Sequence, residues 1–187
     1  MFCGSSAGRS PHYREAAARL GTLLAERAIG LVYGGASVGL MGAVADAALA
    51  GGGEVIGVLP EGLFDREVAH PGLSELVLVG SMHERKARMA ELADGFLALP
   101  GGIGTLDELF DIWSWAQLGL HAKPIGLLDL GGFFQPLLTF LDQQVREGFV
   151  HPSHVALATV DDDLPRLLDR LQGGFGRSAP AGLAPKA

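Results

Sequence analysis

Short runs of apolar residues alternate along the chain with longer stretches in which apolar residues recur at helical spacing. The short runs predict buried strands, and the longer stretches predict amphipathic helices. Strands are expected at residues 2–3, 29–33, 55–59, 76–79, 96–99, 125–128 and 155–160. Helices are expected at residues 11–28, 38–50, 82–93, 106–118, 133–147 and 164–171. This alternation is typical of an α/β fold in which helices cover both faces of a parallel sheet.

The predicted fold is a mainly parallel sheet of about seven strands flanked by helices. Open sheets of this type bind ligands beyond the carboxyl ends of their strands. A chain of 187 residues fits one core, so residues 1–172 are expected to form a single domain. Residues 173–187 are rich in Gly, Ala and Pro, which predicts a disordered tail.

A glycine-rich turn at residues 99–108 separates a predicted strand from a predicted helix. Glycines let the backbone approach a ligand closely, and a helix N-terminus offers N–H donors and the positive end of the helix dipole. Together these features favour the binding of a phosphate. No Gly-Lys-Ser/Thr sequence follows, and Asp107 stands where the dinucleotide fingerprint has glycine. A kinase or an NAD enzyme is therefore disfavoured.

Glu108, in the helix after this turn, has two interpretations. Thr105 and Glu108 have the spacing of a capping box, in which the glutamate returns a hydrogen bond to the start of the helix. Alternatively, the carboxylate faces the sugar of a bound nucleotide. There it would orient water or stabilise the oxocarbenium-like transition state of glycosidic cleavage. The spacing alone leaves both open, and the two roles do not exclude each other.

A second glycine-rich stretch, residues 34–42, joins another predicted strand to the next helix. Tight packing between strand and helix is one explanation for its glycines. The other is that two glycine loops at the same edge of the sheet form opposite walls of a nucleotide cleft. The sequence leaves this choice open as well.

Arg85 and Lys86 are two cations on the apolar face of a predicted helix. They lie three and four residues after Met82, which places them on the same stripe. Arg88 and Glu91 fall on the opposite face at ion-pair spacing, so Arg88 is expected on the surface. An inward cation needs a partner. Either a structural ion pair or a snorkelling side chain explains the two cations, or they recognise a phosphate or a leaving group.

Composition narrows the partners that this chain can have. A net charge of −7 counts against a protein that neutralises many nucleic-acid phosphates, although a small anionic ligand needs only a local positive potential. No apolar stretch reaches about 20 residues, and the N-terminus lacks the pattern of a secretory signal. The single cysteine, Cys3, is compatible with a reducing compartment. We therefore expect a cytoplasmic protein with a small-molecule partner, and neither nucleic acid nor membrane.

The motifs around these residues resemble those of the Lonely Guy (LOG) family of cytokinin riboside 5′-monophosphate phosphoribohydrolases. The resemblance rests on Met-His-Glu-Arg-Lys at residues 82–86 and Pro-Gly-Gly-Ile-Gly-Thr-Leu-Asp-Glu at residues 100–108. Shorter matches lie at residues 2–6, 33–42, 115–119 and 123–126, so the resemblance extends over residues 1–160. Taken together these motifs are highly specific, whereas one glycine loop alone would not be.

The resemblance implies a Rossmann-like, doubly wound fold and an enzyme that hydrolyses the N-glycosidic bond of adenosine 5′-monophosphate or its N6-modified derivatives. The products would be free adenine or a cytokinin, and ribose 5-phosphate. It further implies no metal or organic cofactor, and a homodimer with sites near the interface. A non-catalytic nucleotide-binding or cofactor-carrier protein on the same fold is the main alternative. A DNA-processing protein of related fold is disfavoured by the acidic charge.

The resemblance also assigns roles to individual residues. Arg85 and Glu108 would form the catalytic pair. The implied substrate contacts are Glu67, Arg85, Lys86, Gly102, Ile103, Gly104, Thr105, Leu106, Asp107, Glu108 and Ser114. Relatives are often labelled lysine decarboxylases, a chemistry that normally needs pyridoxal phosphate on a Schiff-base lysine. Lys86 is the one plausible candidate for that lysine, and we interpret it as an anion contact instead.

Overall fold

The structure is a computed structural model, and it describes residues 1–64 and 69–176. The chain divides into two compact units. The first comprises Met1–Ala93 and Gly101–Leu106, and the second comprises Asp94–Pro100 and Asp107–Ala187. Each unit holds its own parallel sheet.

The sheet of the first unit consists of strands β1 (Leu31–Tyr33), β2 (Val55–Pro60) and β3 (Glu75–Val79), hydrogen-bonded in that order. The helices of this unit are α1 (Pro11–Glu26), α2 (Gly39–Ala50), α3 (Glu61–Phe64) and α4 (Met82–Leu92). The register pairs Leu31 with Val55 and Ile56 with Glu75. Because the strands are parallel, their carboxyl ends lie at one edge of the sheet, where the turn after β1 begins.

Helices α1 and α2 pack closely through small residues. A Cβ on Gly21 would overlap the carbonyl oxygen of Val44 and lie 2.8 Å from the backbone nitrogen of Ala48, so the packing requires glycine there. Pro11 begins α1 as predicted, at a position where its missing N–H costs nothing. Ser10 is the N-cap residue, although N-cap serines usually accept a hydrogen bond from the first turn and its hydroxyl makes none.

The sheet of the second unit consists of strands β4 (Phe96–Ala98), β5 (Ile125–Leu128) and β6 (Ala158–Asp161), again in that order. The helices are α5 (Ile103–Gln117), α6 (Gln135–Arg146), α7 (Pro152–Val155) and α8 (Leu164–Gln172). The first four residues of α5 belong to the first unit. The register pairs Phe96 with Ile125. Helix α8 packs its buried leucines on β5, where Gly126 leaves room for Leu167 and Leu171.

The expectation of one sheet with about seven strands is wrong. The described residues contain six strands in two three-stranded sheets. Phe2 forms a single bridge rather than a strand, and the backbone bends at Ser5 and Ser6. The α/β class, the parallel pairing and the alternation of strands with helices are confirmed.

The strand expected at residues 155–160 begins later than predicted, because α7 precedes it. Pro152 stands at the first helical position, where its missing N–H costs nothing, and the His151 side chain caps the helix by accepting from the Ser153 N–H at 3.3 Å. Residues 173–176 form a turn after α8, and the rest of the predicted tail lies outside the described residues.

Two buried acids have structural roles at the carboxyl ends of strands in the second sheet, Asp129 just after β5 and Asp161 as the last residue of β6. Asp129 accepts hydrogen bonds from the Phe134 N–H at 2.7 Å and from the Gln135 amide, which closes the turn before α6. Asp161 accepts from Nε of Arg166 at 2.8 Å. This guanidinium holds the pKa of the Asp161 carboxyl well below its usual range. These contacts join each strand to the helix that follows it.

His121 joins α5 to the loop that precedes β5 as a neutral imidazole. Its Nε2 lies 2.8 Å from the Ile112 carbonyl, and its Nδ1 accepts from the Lys123 N–H at 3.1 Å, which requires the Nε2–H tautomer. The ring packs edge-on against Phe96, with 5.2 Å between centroids. Burial lowers the pKa of His121 below the ordinary value of 6.5.

We expect His121 to make the free energy of unfolding fall as the pH is lowered below 6.5. The unfolded chain takes up a proton at the ordinary histidine pKa, whereas the folded chain resists protonation to a lower pH. Its contribution is therefore complete above that pH and is lost towards the lowered folded-state pKa. Denaturant unfolding between about pH 7.5 and about pH 5 measures this. The free energy of unfolding of His121→Asn should fall less than that of the wild type over this pH interval. Equal losses in the two proteins would contradict the proposed contribution of His121.

Candidate functional site

The helix that follows the glycine-rich turn begins at Ile103 rather than at the expected Leu106. The Leu106 N–H donates to the Gly102 carbonyl at 3.2 Å and closes the first helical turn. Thr105 is therefore inside the helix, with Glu108 one turn further on. A capping box requires the threonine at the N-cap and the glutamate three residues later. The capping-box interpretation of Thr105 and Glu108 is wrong.

The backbone at the start of α5 has room for a ligand. A Cβ on Gly102 or Gly104 would meet no atom within 4 Å, so packing does not require glycine at either position. Ile103, between them, exposes 88% of its surface. Gly101 differs, because a Cβ there would lie 2.8 Å from the backbone nitrogen of Gly4. Open glycines at a helix N-terminus leave its N–H groups accessible, which is the arrangement that binds phosphate.

Thr105 and Glu108 share the buried face of α5. They are three residues apart, which makes them neighbours on a helix, and they expose only 4% and 8% of their surfaces. Leu106 is half-buried and Asp107 is exposed. A buried carboxylate one turn beyond an open helix N-terminus is suited to act on the part of a ligand next to its phosphate.

Gly104→Ala is expected to keep the fold and weaken substrate binding. Alanine is the better helix former, so the free energy of unfolding should be unchanged or up to about 1 kcal/mol higher. A methyl group beside a phosphate bound at this turn would disturb a charge-assisted hydrogen bond, so kcat/KM for a phosphorylated substrate should fall by about tenfold, mainly through KM. Urea unfolding and steady-state kinetics on the same sample measure both. An unchanged KM would contradict phosphate binding at this turn.

Helix α4 begins with a side-chain cap at Ser81. The Ser81 hydroxyl accepts a hydrogen bond from the Glu84 N–H at 3.1 Å. The Glu84 carboxylate accepts from the Gly80 N–H at 2.8 Å, one residue before the N–H that a capping box would use. This cap fixes where the helix starts, and so it fixes the face on which Arg85 and Lys86 lie.

Arg85 and Lys86 are buried as predicted, with 8% and 9% of their surfaces exposed. Nε of Arg85 donates to the Val58 carbonyl of β2 at 3.1 Å, and Nη1 lies 3.8 Å from Sδ of Met82. The sequence did not indicate the Val58 contact, because a backbone carbonyl has no residue signature, whereas Met82 and Arg85 are neighbours on the predicted helix stripe. Met82 was placed on the apolar stripe, yet it is 40% exposed because it is the first residue of the helix.

Packing explains glycines in the second stretch, residues 34–42. Gly39 has a φ of +59°, and a Cβ there would overlap the Ser5 backbone. A Cβ on Gly42 would overlap the Ser37 carbonyl. These two glycines therefore have a structural reason that Gly102 and Gly104 lack. A role for this stretch as the wall of a nucleotide cleft stays a prediction.

Two further predicted substrate contacts have different outcomes. Glu67 lies outside the described residues. Ser114 is exposed, and its hydroxyl donates to the Asp111 carbonyl at 2.9 Å. It lines a cavity of about 250 Å³ in the second unit, whose other walls include Phe110, Trp113, Leu141, Val150 and His154.

Among the residues that the structure describes, no group of three or more His, Cys, Asp or Glu side chains is arranged to hold a metal ion. The rings of His151 and His154 have centroids 5.7 Å apart. His151 has a structural partner, because its Nδ1 lies 2.7 Å from Oγ of Ser153. Within residues 1–64 and 69–176, no helix has the length and apolar character needed to cross a membrane.

Solved structures with the same architecture define the fold class of this protein. TM1055, a structural genomics target, has a TM-score of 0.66 and 23% identity, covering 91% of this chain and 95% of its own. The molybdenum cofactor binding protein of Rippkaea orientalis has a TM-score of 0.65 and 21% identity, and the match covers 91% of this chain and 93% of that protein. The molybdenum cofactor carrier protein of Chlamydomonas reinhardtii has a TM-score of 0.65 and 20% identity, and the match covers 90% of this chain and 89% of that protein. These likenesses establish the fold alone, a parallel α/β fold of the Rossmann-like class.

The family follows from closer sequence relatives. Residues 41–171 match the family model described as "Possible lysine decarboxylase". Cytokinin riboside 5′-monophosphate phosphoribohydrolases LOG7, LOG1 and LOG2 of Arabidopsis thaliana are 55%, 52% and 46% identical to this chain. The matches cover 81%, 82% and 92% of this chain, and 70%, 72% and 81% of the relatives. The chain belongs to the LOG family.

Proposed function

We propose that the protein hydrolyses the N-glycosidic bond of adenosine 5′-monophosphate or of its N6-modified derivatives, and releases the free base and ribose 5-phosphate. Family membership carries the proposal, because relatives named for this reaction are 46% to 55% identical to the chain. The open glycines at the start of α5 and the buried Glu108 one turn later provide the chemistry that such a reaction needs.

The 5′-phosphate binds at the N-terminus of α5. Gly102 and Gly104 let its oxygens approach the backbone N–H groups, and the helix dipole favours its negative charge. Lys86 supplies positive charge, which a compact ammonium group does well for phosphate. The phosphate thereby fixes the ribose for the reaction at C1′. A nucleoside without a phosphate loses these contacts.

Glu108 acts on the ribose. Its carboxylate orients a water molecule towards C1′ and takes a proton from it as the new C–O bond forms. The C1′–N9 bond breaks, and its electron pair leaves with the purine. The sugar carries positive charge in the transition state, which the carboxylate stabilises. Arg85 offsets the negative charge of the phosphate or of the departing base.

Lysine decarboxylation, named in the description of the family model, is not the reaction that we propose for this chain. That chemistry requires pyridoxal phosphate as a Schiff base, so the amine must meet the aldehyde of a bound cofactor. The relatives that are 46% to 55% identical to the chain are named instead for phosphoribohydrolysis, a reaction that needs no Schiff base. We therefore assign Lys86 to anion binding.

We also propose that the protein is cytoplasmic and that residues 1–172 act as a single domain. A further proposal is that two copies of the chain associate, with their sites near the interface. Support for association comes from large apolar side chains that the second unit exposes, among them Phe110, Leu118, Phe140 and Phe149. Exposed apolar surface of this kind marks interaction sites when it is contiguous. Sedimentation equilibrium should give twice the mass of one chain, and a monomer would contradict the proposal.

Kinetics with a panel of nucleotides test the proposed reaction. The protein is offered AMP, N6-isopentenyl-AMP, GMP, CMP and adenosine, and the free base is measured by chromatography. We expect kcat/KM for the better adenine nucleotide to exceed the values for GMP and CMP by about tenfold or more. Adenosine should be a poor substrate. Nucleotide binding without release of base would instead support the non-catalytic carrier.

A further inference from the structure

We propose that Gly34 is a positioning residue for Arg85, and that the missing side chain at position 34 sets the orientation of the guanidinium. Gly34 directly follows β1, at the carboxyl edge of the first sheet. The inference rests on the proposed catalytic role of Arg85. It assigns to Gly34 a function that the packing of the other glycines in residues 34–42 does not explain.

The Arg85 guanidinium occupies the space that a side chain at position 34 would need. A Cβ on Gly34 would overlap Nη2 of Arg85 and would lie 3.2 Å from its Cζ. On the other side of the group, Nε donates to the Val58 carbonyl at 3.1 Å. Nη1 lies against Sδ of Met82 at 3.8 Å. Neighbours at all three nitrogens of a rigid, planar group fix both its position and its plane.

The turn that carries Gly34 is itself held in place. Gly35 has a φ of +81°, and its carbonyl accepts a hydrogen bond from the His70 N–H at 2.9 Å. The His70 ring is fixed in turn, because Nε2 lies 2.9 Å from Oδ1 of Asp46 and Nδ1 accepts from the Gly72 N–H at 3.1 Å. A methyl group at position 34 would therefore displace the arginine rather than the backbone.

The backbone conformation does not require glycine at position 34. Gly34 is not among the glycines with positive φ, in contrast to its neighbour Gly35. Apart from Arg85, the nearest atom to a Cβ at position 34 is Sδ of Met41, 3.3 Å away at the flexible end of a side chain. Alanine is thus compatible with the fold, and its effect should fall on activity rather than on stability.

A double-mutant cycle of Gly34→Ala and Arg85→Lys tests the inference. We expect Gly34→Ala to lower kcat/KM for AMP by about tenfold to a hundredfold, the usual result of a small displacement of a catalytic group. Lysine has no Nη2, so adding Gly34→Ala to Arg85→Lys should change kcat/KM by less than about twofold. Gly34→Ala should melt within about 3 °C of the wild type. Gly35→Ala, the matched control for backbone strain, should melt lower because alanine disfavours its positive φ.

Three results would each overturn the inference. They are wild-type activity in Gly34→Ala, a loss in the double variant equal to the sum of the single losses in free energy, and a Gly34→Ala protein that melts far below the wild type. Failure of the proposed function looks different. A wild-type protein that releases no base, or an active Arg85→Ala, removes the role of Arg85 before the Gly34 variants are compared.

Discussion

Replacing Glu108 with glutamine is expected to lower kcat for AMP hydrolysis by about 10²-fold to 10⁴-fold, the range for loss of a general base. Glutamine has nearly the same size and retains hydrogen-bonding groups, so the buried face of α5 should stay packed. It lacks the negative charge that draws a proton from water and stabilises the sugar cation. KM should change less than kcat, because the proposed phosphate contacts are made by the start of α5.

Glu91→Gln is the matched control for this variant. It makes the same chemical change at an exposed acid on α4, where Glu91 pairs with Arg88 at 3.0 Å as the sequence predicted. An exposed pair contributes little, so kcat should stay within about twofold of the wild type. Circular dichroism establishes that both variants are folded. A folded Glu108→Gln protein with near-normal kcat would rule out the carboxylate as the catalytic base.

Arg85→Ala is expected to lower kcat/KM by about 10²-fold to 10³-fold, the usual cost of removing one donor that stabilises a transition state. Arg85→Lys should recover only part of this loss. Lysine keeps the charge, but it is a point donor on a flexible stem and cannot bind the Val58 carbonyl through Nε while presenting a planar fork.

Arg88→Lys provides the control for Arg85. It lies three residues later on the same helix, and its side chain is 43% exposed in its pair with Glu91. Its kcat/KM should stay within about twofold of the wild type. Full activity in Arg85→Ala would contradict the catalytic role of this side chain. Full activity in Arg85→Lys would show that charge suffices and that the fork is not used.

The sequence predicted most of the helices and the inward face of α4, because apolar periodicity records burial directly. The stripe after Met82 placed Arg85 and Lys86 inside, and both are buried. Periodicity carries less information about helix starts. Two glycines made Thr105 the expected cap, yet α5 begins at Ile103 and contains Gly104. Glycine disfavours helix by only about 1 kcal/mol, which tertiary contacts override.

Strand pairing and close contacts were less predictable. Periodicity identifies a buried strand but does not say which strands pair, so the division into two three-stranded sheets had no sequence signal. The position of the Arg85 guanidinium was equally unpredictable from the sequence. It depends on a carbonyl of β2, at Val58, and on the absence of a side chain at Gly34, neither of which has a recognisable residue pattern.

Identification of the products formed from AMP tests the central claim most directly. The protein is incubated with AMP, and proton and phosphorus NMR spectra are recorded as the reaction proceeds. Hydrolysis at C1′ should give adenine and ribose 5-phosphate in equal amounts, with the phosphorus remaining in a monoester. Adenosine with inorganic phosphate, inosine monophosphate, or unchanged AMP bound to the protein would contradict the account.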